Sequence, residues 1–541
     1  MLNLHGQNFI GDQLRAGSGK TFRAVNPLGD TPLEPVFSAA SEAEINDAMA
    51  LAEAAFESFR ETTGEQRAAF LERIADEIMA LGGDLLARAN QETGLPEARL
   101  AGERARTVNQ LKLFAQVIRE GSWVDARIDP AMPDRQPVPR PDLRRMLIPL
   151  GPVVVFGASN FPLAYSVAGG DTASALATGN PVVVKAHERH PGTSELTAVA
   201  IRRAIAACHL PDGVFSMLHG SGKSVGITLV KNPSARAVGF TGSRAAGRAL
   251  FDAAAARPDP IPVFAEMSSL NPVFILPGAL RERGGNIAEG LKNSVTLGAG
   301  QFCTKPGLIF GLQGTAFEQF QTALAQALAV VAPAPMLHAG ICDAYHRELA
   351  RVAEVSGVKL PAHSRENPDR TRTEGEAVLA RTDAKTFREH PGLAEEVFGP
   401  FSILISAPAL AELEAVARNL EGQLTATVHG TPGDLQQAKR LLRILERNAG
   451  RLIINGFPTG VEVCPAMNHG GPYPATTDVR FTSVGTAALH RFVRPICYQD
   501  FPGALLPEAL RDENPLGLWR TVNGTLVRPQ AKATRPALQH R

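Results

Sequence analysis

Between residues 147 and 266, short apolar runs alternate with helical stretches, and this alternation restricts the fold more than any other feature. The runs are VVVF (153–156), VVVK (182–185), VFSML (214–218), RAVGF (236–240) and PVFAE (262–266). Each is apolar at successive positions, so both of its faces must be covered. The segments between them, such as TSELTAVAIRRAIAAC and SRAAGRALFDAAAA, have the length and composition of crossover helices. Buried strands joined by helices define an α/β fold: a parallel sheet with helices on both faces. Ligands of such sheets bind beyond the carboxyl ends of the strands. The residues leaving each strand are therefore the first place to look for chemistry.

Residues 41–120 predict helices. One opens with a capping box, Ser41 and Glu44, in SEAEINDAMALAEAAFESF. The others run through EQRAAFLERIADEIMALGGDLLARANQETG and EARLAGERARTVNQLKLFAQVIREG, and each stops at glycine. The proline-rich DPAMPDRQPVPRPD (129–142) predicts a loop or an extended arm. A second strand–helix region, from 267 to about 465, contains NPVFIL, GLIFGL, FSILI, TATVHG and RLIIN. The end is proline-rich from 503 and then basic, RPQAKATRPALQHR, which predicts a surface extension. A chain of 541 residues is too long for one hydrophobic core.

The charge balance narrows the function. A formal net charge of +1 with 20% charged residues leaves no basic excess for a nucleic-acid or membrane partner. MLNLHGQNFIGDQ lacks the basic start and apolar core of a signal peptide, and no apolar run approaches the roughly 18 residues of a membrane span. The five cysteines (208, 303, 342, 464 and 497) are odd in number and form no CxxC pair. That argues against a disulfide framework or a zinc site, and the expectation is a cytoplasmic, reduced protein with no metal.

Two phosphate-loop look-alikes, GSGKT (17–21) and GSGKS (220–224), have Leu14 and Met217 where the first glycine is required. The strand exits say more. Asn160, in VVVFGASNFPL, could cap a helix with Pro162 in its first turn, or donate to a developing oxyanion. Lys185, ending VVVK, is either a solvated rim charge or a contact to a cofactor ribose or phosphate. Gly242-Ser243 lead from a strand into a helix whose free N–H groups suit a pyrophosphate. Glu266 closes an apolar strand, where a carboxylate is costly unless paired or functional. In an apolar site its pKa would rise, as suits a general base. Cys303, in LGAGQFCTKP, sits among small and polar residues, unlike a buried structural cysteine, and is a candidate nucleophile.

Taken in order, SNFP, Lys185, FTGS, Glu266 ahead of NP, Cys303 in GQFC, and EEVFGP (395–400) resemble the aldehyde dehydrogenase superfamily over roughly residues 20–500. More narrowly, KAHERHPGTSE, HGGPYPATTD, RFTSVGT and RPICYQDFP are similar to its α-ketoglutaric semialdehyde (2,5-dioxopentanoate) dehydrogenase branch. That branch in turn resembles bacterial NADP-dependent fatty aldehyde dehydrogenases. The resemblance implies that Cys303 attacks the aldehyde, that Asn160 and the Cys303 N–H hold the oxyanion, and that Glu266 activates the hydrolytic water. It also implies that Lys185 and Glu396 contact cofactor riboses, Phe398 flanks the nicotinamide and Gly242-Ser243 lie near the pyrophosphate. Glu188 stands where relatives that prefer NAD bind the adenosine ribose, whereas Arg189 and Lys185 could meet a 2′-phosphate, so NAD and NADP both stay open. Two departures are Ser268-Ser269 in place of a glycine pair and Lys185-Ala186-His187 in place of KP.

The architecture implied is a Rossmann-type parallel-sheet cofactor domain (1–122 and 149–265), an α/β catalytic domain (266–470) and a small β oligomerisation arm (123–148 and 471–505). A C-terminal extension (506–541) follows. A homodimer or homotetramer is implied. The expected reaction is NAD(P)-dependent oxidation of an aldehyde to its acid, with 2,5-dioxopentanoate as the leading substrate and a medium- or long-chain aliphatic aldehyde as the alternative. A CoA-acylating enzyme or a non-catalytic dinucleotide-binding relative fits less well, because Asn160, Glu266 and Cys303 are all present.

Overall fold

The computed structural model describes residues 3–528. Its first sheet has the strand order Val263–Glu266, Ala237–Thr241, Val153–Phe156, Val182–Lys185, Phe215–Leu218, Asn8–Ile10, Gln13–Arg15. The first five run parallel, and the two N-terminal strands extend the sheet antiparallel. Thr241 pairs with Glu266 and Phe156 with Lys185, so the strand exits line up along one edge.

Alternate residues of one strand enter different cores, as the two-residue period of a strand requires. Val153, Val155, Val182 and Val184 pack with Leu71 and Ile74 of the helix Gly64–Ala80 and with Leu111 and Phe114 of Glu97–Glu120. Val154, Val183 and Val238 face the other way, onto Ile45 and Met49 of Glu42–Arg60 and Leu250 of Arg244–Ala255.

Met267–Pro272 carries the chain from Glu266 straight into a second sheet. Its order is Lys359–His363, Val378–Asp383, Phe401–Ala407, Leu308–Leu312, Val273–Ile275, Gln423–His429, Ala449–Ile454. It is parallel except at the first of these, an antiparallel edge strand. A third sheet runs Val493–Gln499, Leu143–Pro149, Arg127–Asp129, Arg520–Val522, Thr525–Val527.

Several local expectations change. The stretch 65–94 is two helices, Gly64–Ala80 and Gly82–Thr93, because Gly82 adopts φ +58° between them. FPLAYSVAG forms turns, and the helix begins only at Gly170. The N–H groups of Leu163 and Ala164 donate to the buried Glu103 carboxylate (2.8 and 2.9 Å), which satisfies them without a helix. Part of the stretch read as a C-terminal extension joins the third sheet: Arg520–Val522 pairs parallel to Arg127–Asp129. The basic tail beyond Arg528 lies outside the described residues. Residues 475–477, grouped by sequence with the arm, instead cover the edge of Val263–Glu266. Met267 N–H donates to Ala475 O (2.8 Å) and Thr477 N–H to Ala265 O (3.1 Å). Among the described residues no helix is long and apolar enough to cross a membrane.

Candidate active site

The glycine-rich LGAGQF ahead of Cys303 is a backbone device. Gly298, Ala299 and Gly300 adopt φ of +57°, +53° and +65°, so the chain turns sharply after the helix Pro277–Thr296. At Gly300 a Cβ would lie 2.3 Å from the Gly399 backbone, so a side chain there would collide with the EEVFGP loop. Asn271 fixes the far side of the turn. Its Nδ2 donates to Cys303 O (2.8 Å) and Lys305 O (3.0 Å), while its Oδ1 accepts from Ser269 and Thr425 (both 2.9 Å).

Glu266 ends its strand within reach of this turn. Its Oε1 lies 3.0 Å from His469 Nε2, and its Oε2 accepts from Ser483 Oγ at 2.6 Å. His469 Nε2 is also 3.5 Å from Cys303 Sγ. His469 Nδ1 is buried without a partner, so the ring's proton belongs on Nε2, donated to Glu266. Glu266, Cys303 and His469 place their donor atoms within 4.8 Å of one another.

The electrostatics of the pair differ from the expectation of a raised glutamate. Burial pushes Glu266 up, but His469, Ser483 and the Cys303 thiol together hold it below the usual carboxylate range. Burial, then the charge of Glu266 and its hydrogen bond, push Cys303 well above the usual thiol range, with Arg106 opposing. The resting pair is thus a carboxylate beside a thiol. The proton must move before sulfur can attack, and Glu266, within 4.8 Å of the sulfur, is placed to accept it.

Asn160 does not cap a helix. Its Nδ2 donates to Gln301 O (3.0 Å), and Arg99 holds its carbonyl (2.7 Å). That contact places an amide donor beside the Cys303 turn with a second N–H to spare. The Cys303 N–H likewise has no acceptor among the described residues.

A cleft of about 800 Å³ opens beside these groups, lined by Ser243, Ser268, Ser269, Glu396 and Phe398 among others. Ser243 caps the helix Arg244–Ala255, accepting from Ala246 N–H. Gly242 N–H donates to Glu266 O (3.0 Å), and a Cβ at Gly242 would strike the Phe240 ring at 2.6 Å. Lys185 is only 4% exposed and its ammonium has no hydrogen-bonding partner among the described residues; burial pulls its pKa down to about 8, with Glu188 opposing. Burial raises Glu396, against the charge of Lys305 and hydrogen bonds from Ser268 and the Ser269 N–H. The serine pair that departs from the expected glycines therefore engages Glu396. The capped helix start at Ser243 and the cleft with Glu396 and Phe398 fit part of a dinucleotide, whereas Lys185 and Glu188 do not line that cleft.

His469, Ser483 and Asn271 were not among the sequence candidates. His469 and Ser483 lie in HGGPYPATTD and RFTSVGT, quoted for their likeness alone, and only the folded chain brings them to Glu266 across some 200 residues.

Two parallel-rich α/β units meeting at a thiol, a carboxylate and an amide beside a dinucleotide-sized cleft define a class, cysteine-dependent oxidoreductases. The chain belongs to the aldehyde dehydrogenase family, whose pattern matches residues 14–492. It is 53% identical to α-ketoglutaric semialdehyde dehydrogenase 2 of Azospirillum brasilense, over 97% of this chain and 99% of that one. It is 47% identical to α-ketoglutaric semialdehyde dehydrogenase of Acinetobacter baylyi, with the same coverage. The fold superposes on lactaldehyde dehydrogenase from Escherichia coli with a TM-score of 0.78 at 21% identity, covering 91% of this chain and 98% of that one. The protein is an NAD(P)-linked enzyme that oxidises an aldehyde to a carboxylic acid.

Proposed function

We propose that this enzyme oxidises 2,5-dioxopentanoate to 2-oxoglutarate, with Cys303 as nucleophile, Glu266 as base and Asn160 as oxyanion donor. Identity of 53% and 47% to two α-ketoglutaric semialdehyde dehydrogenases over nearly the whole chain carries the substrate reading. The contact of Cys303 with the Glu266–His469 pair supports the mechanism.

The ionised Glu266 takes the thiol proton as sulfur adds to the aldehyde carbon. The new oxyanion is held by the free N–H of Asn160 and by the Cys303 amide, giving a thiohemiacetal. The nicotinamide cofactor supplies the acceptor for the hydride that leaves this carbon, which leaves a thioester. Glu266, having passed the thiol proton to solvent, then removes a proton from water as its oxygen attacks the thioester; the C–S bond breaks to release the acid, and Glu266 returns that proton to the Cys303 sulfur. Lys185, Glu188, Gly242, Ser243, Glu396 and Phe398 are the residues we assign to hold the cofactor, NAD or NADP. We read Glu266, Cys303 and His469 as proton-transfer partners rather than a metal site, so a chelator leaves the rate unchanged.

We also assign 1–122 with 149–265 to a cofactor domain and 266–470 to a catalytic domain, in a cytoplasmic enzyme. The exposed outer strand Val493–Gln499 supports a homodimer or homotetramer, and a monomer by light scattering overturns that assignment.

The deciding experiment measures initial rates with NAD and NADP for 2,5-dioxopentanoate, succinic semialdehyde, hexanal and decanal, with Cys303→Ala as control. The expected result is the highest kcat/KM for 2,5-dioxopentanoate; a preference for decanal overturns the substrate reading.

A further inference from the structure

If the substrate is a semialdehyde acid, its distal carboxylate needs a cation, and the inference here rests on that reading. Phe302, next to Cys303, packs in an apolar cluster with Phe161, Tyr165, Val461, Val463 and Met467. Three arginines reach this region, each with a buried nitrogen that has no partner, and the bonds that each does make distinguish them.

Arg99 is held between the rings of Phe161 and Phe302 (5.3 and 4.8 Å to the centroids) and donates to Asn160 O. Its task is to support the oxyanion loop. Arg451 directs its terminal nitrogens to the carbonyls of Pro458 (2.8 Å) and Gly460 (3.2 Å), so it braces a loop.

Arg106 is different. It reaches over from the helix Glu97–Glu120 to lie 5.2 Å from the centroid of the Tyr165 ring. Its Nη2 donates to Tyr165 Oη at 3.1 Å. Its Nε is buried without a partner, and Nη1 forms no hydrogen bond among the described residues. The phenol, accepting from Arg106, has no acceptor for its own proton among the described residues. Arg106 also lies 5.8 Å from the centroid of the Phe161 ring, which packs edge-on against Phe302 beside Cys303. Glu103, the nearby carboxylate, has Oε1 committed to Leu163 and Ala164 N–H groups, and burial opposes its ionisation. It is a weak counter-ion for Arg106.

We propose that Arg106 and the Tyr165 hydroxyl form the subsite for the distal carboxylate of the substrate. Arginine and phenol present unspent donors in an apolar enclosure, where an anion satisfies all of them and an uncharged chain satisfies none. The same donors would make the site reject a neutral aldehyde that fills the space equally well.

The test compares kcat/KM for 2,5-dioxopentanoate and hexanal in wild type, Arg106→Met, Arg106→Lys and Tyr165→Phe. In Arg106→Met the ratio of the two values falls about 10²-fold, mainly through KM for the acid; it falls less in Arg106→Lys and about fivefold in Tyr165→Phe. A ratio that stays at the wild-type value, or equal losses toward both substrates, overturns the subsite. Tyr165→Phe, which changes one hydroxyl, decides the matter if Arg106→Met does not fold. A wild type that prefers hexanal to the acid shows instead that the substrate reading has failed, and the subsite falls with it.

Discussion

Two approaches to Cys303 are built in different ways. The residues that we assign to the cofactor, with the catalytic Glu266, sit at ordered ends of secondary structure: Lys185 and Glu266 close parallel strands, and Ser243 begins a helix. The enclosure around Phe302 is assembled from a long helix, a run of turns and the irregular segment 461–467. A parallel sheet places every strand exit along one edge, so a generic ligand can be held by positions that the sheet geometry sets. A variable ligand is met by segments that can change without disturbing the sheet. The two approaches share only the residues at their junction, and substitutions can separate them.

The largest effect is expected where both approaches converge. Glu266→Gln lowers steady-state turnover about 10³-fold, because water is no longer activated. A burst of about one reduced cofactor per subunit, slower than in wild type because the thiol must give its proton to solvent, followed by a stalled thioester, distinguishes this from loss of the nucleophile. The same variant makes a second prediction. In wild type the charge and hydrogen bond of Glu266 help hold the Cys303 thiol high, so removing them lowers its pKa. The rate of Cys303 alkylation by iodoacetamide then rises at lower pH in Glu266→Gln than in wild type; an unmoved profile means that burial alone sets the thiol.

Asn160→Ala should lower kcat by about 10²-fold, with similar losses for acidic and neutral aldehydes, since an oxyanion donor serves both. A loss confined to one class of aldehyde would place Asn160 in the substrate approach.

The smallest effect belongs to one approach alone. Lys185→Met raises KM for the cofactor about tenfold while the ratio of rates for different aldehydes holds. Because its pKa is pulled to about 8, Lys185 is charged below that value and neutral above it. In wild type the affinity for cofactor therefore weakens as pH rises through about 8, and in the variant this step disappears. A change in aldehyde preference on replacing Lys185 would break the separation between the approaches.

The two regions were also unequally legible. VVVF, VVVK and PVFAE announced buried parallel strands, because a strand covered on both faces must be apolar at every position. Once the sheet was inferred, Asn160, Lys185, Ser243 and Glu266 followed as strand exits. The order of motifs pointed to Cys303, whose preceding glycines occupy left-handed positions that favour residues without a side chain. The direction of the Glu266 shift did not follow: burial alone predicts a rise, and the opposing contacts come from His469 and Ser483, more than 200 residues downstream.

What the sequence by itself determined is the class of fold, the family and the residues with chemical potential, since those depend on local pattern and order. Tertiary structure alone decided how the groups meet: that Asn160 holds Gln301 rather than capping a helix, that Ser268 and Ser269 engage Glu396, and that Arg106 bonds a side-chain hydroxyl while Arg99 and Arg451 bond backbone carbonyls. Hydrogen bonds are made over about 3 Å, and no periodicity along a chain encodes which distant groups will come that close.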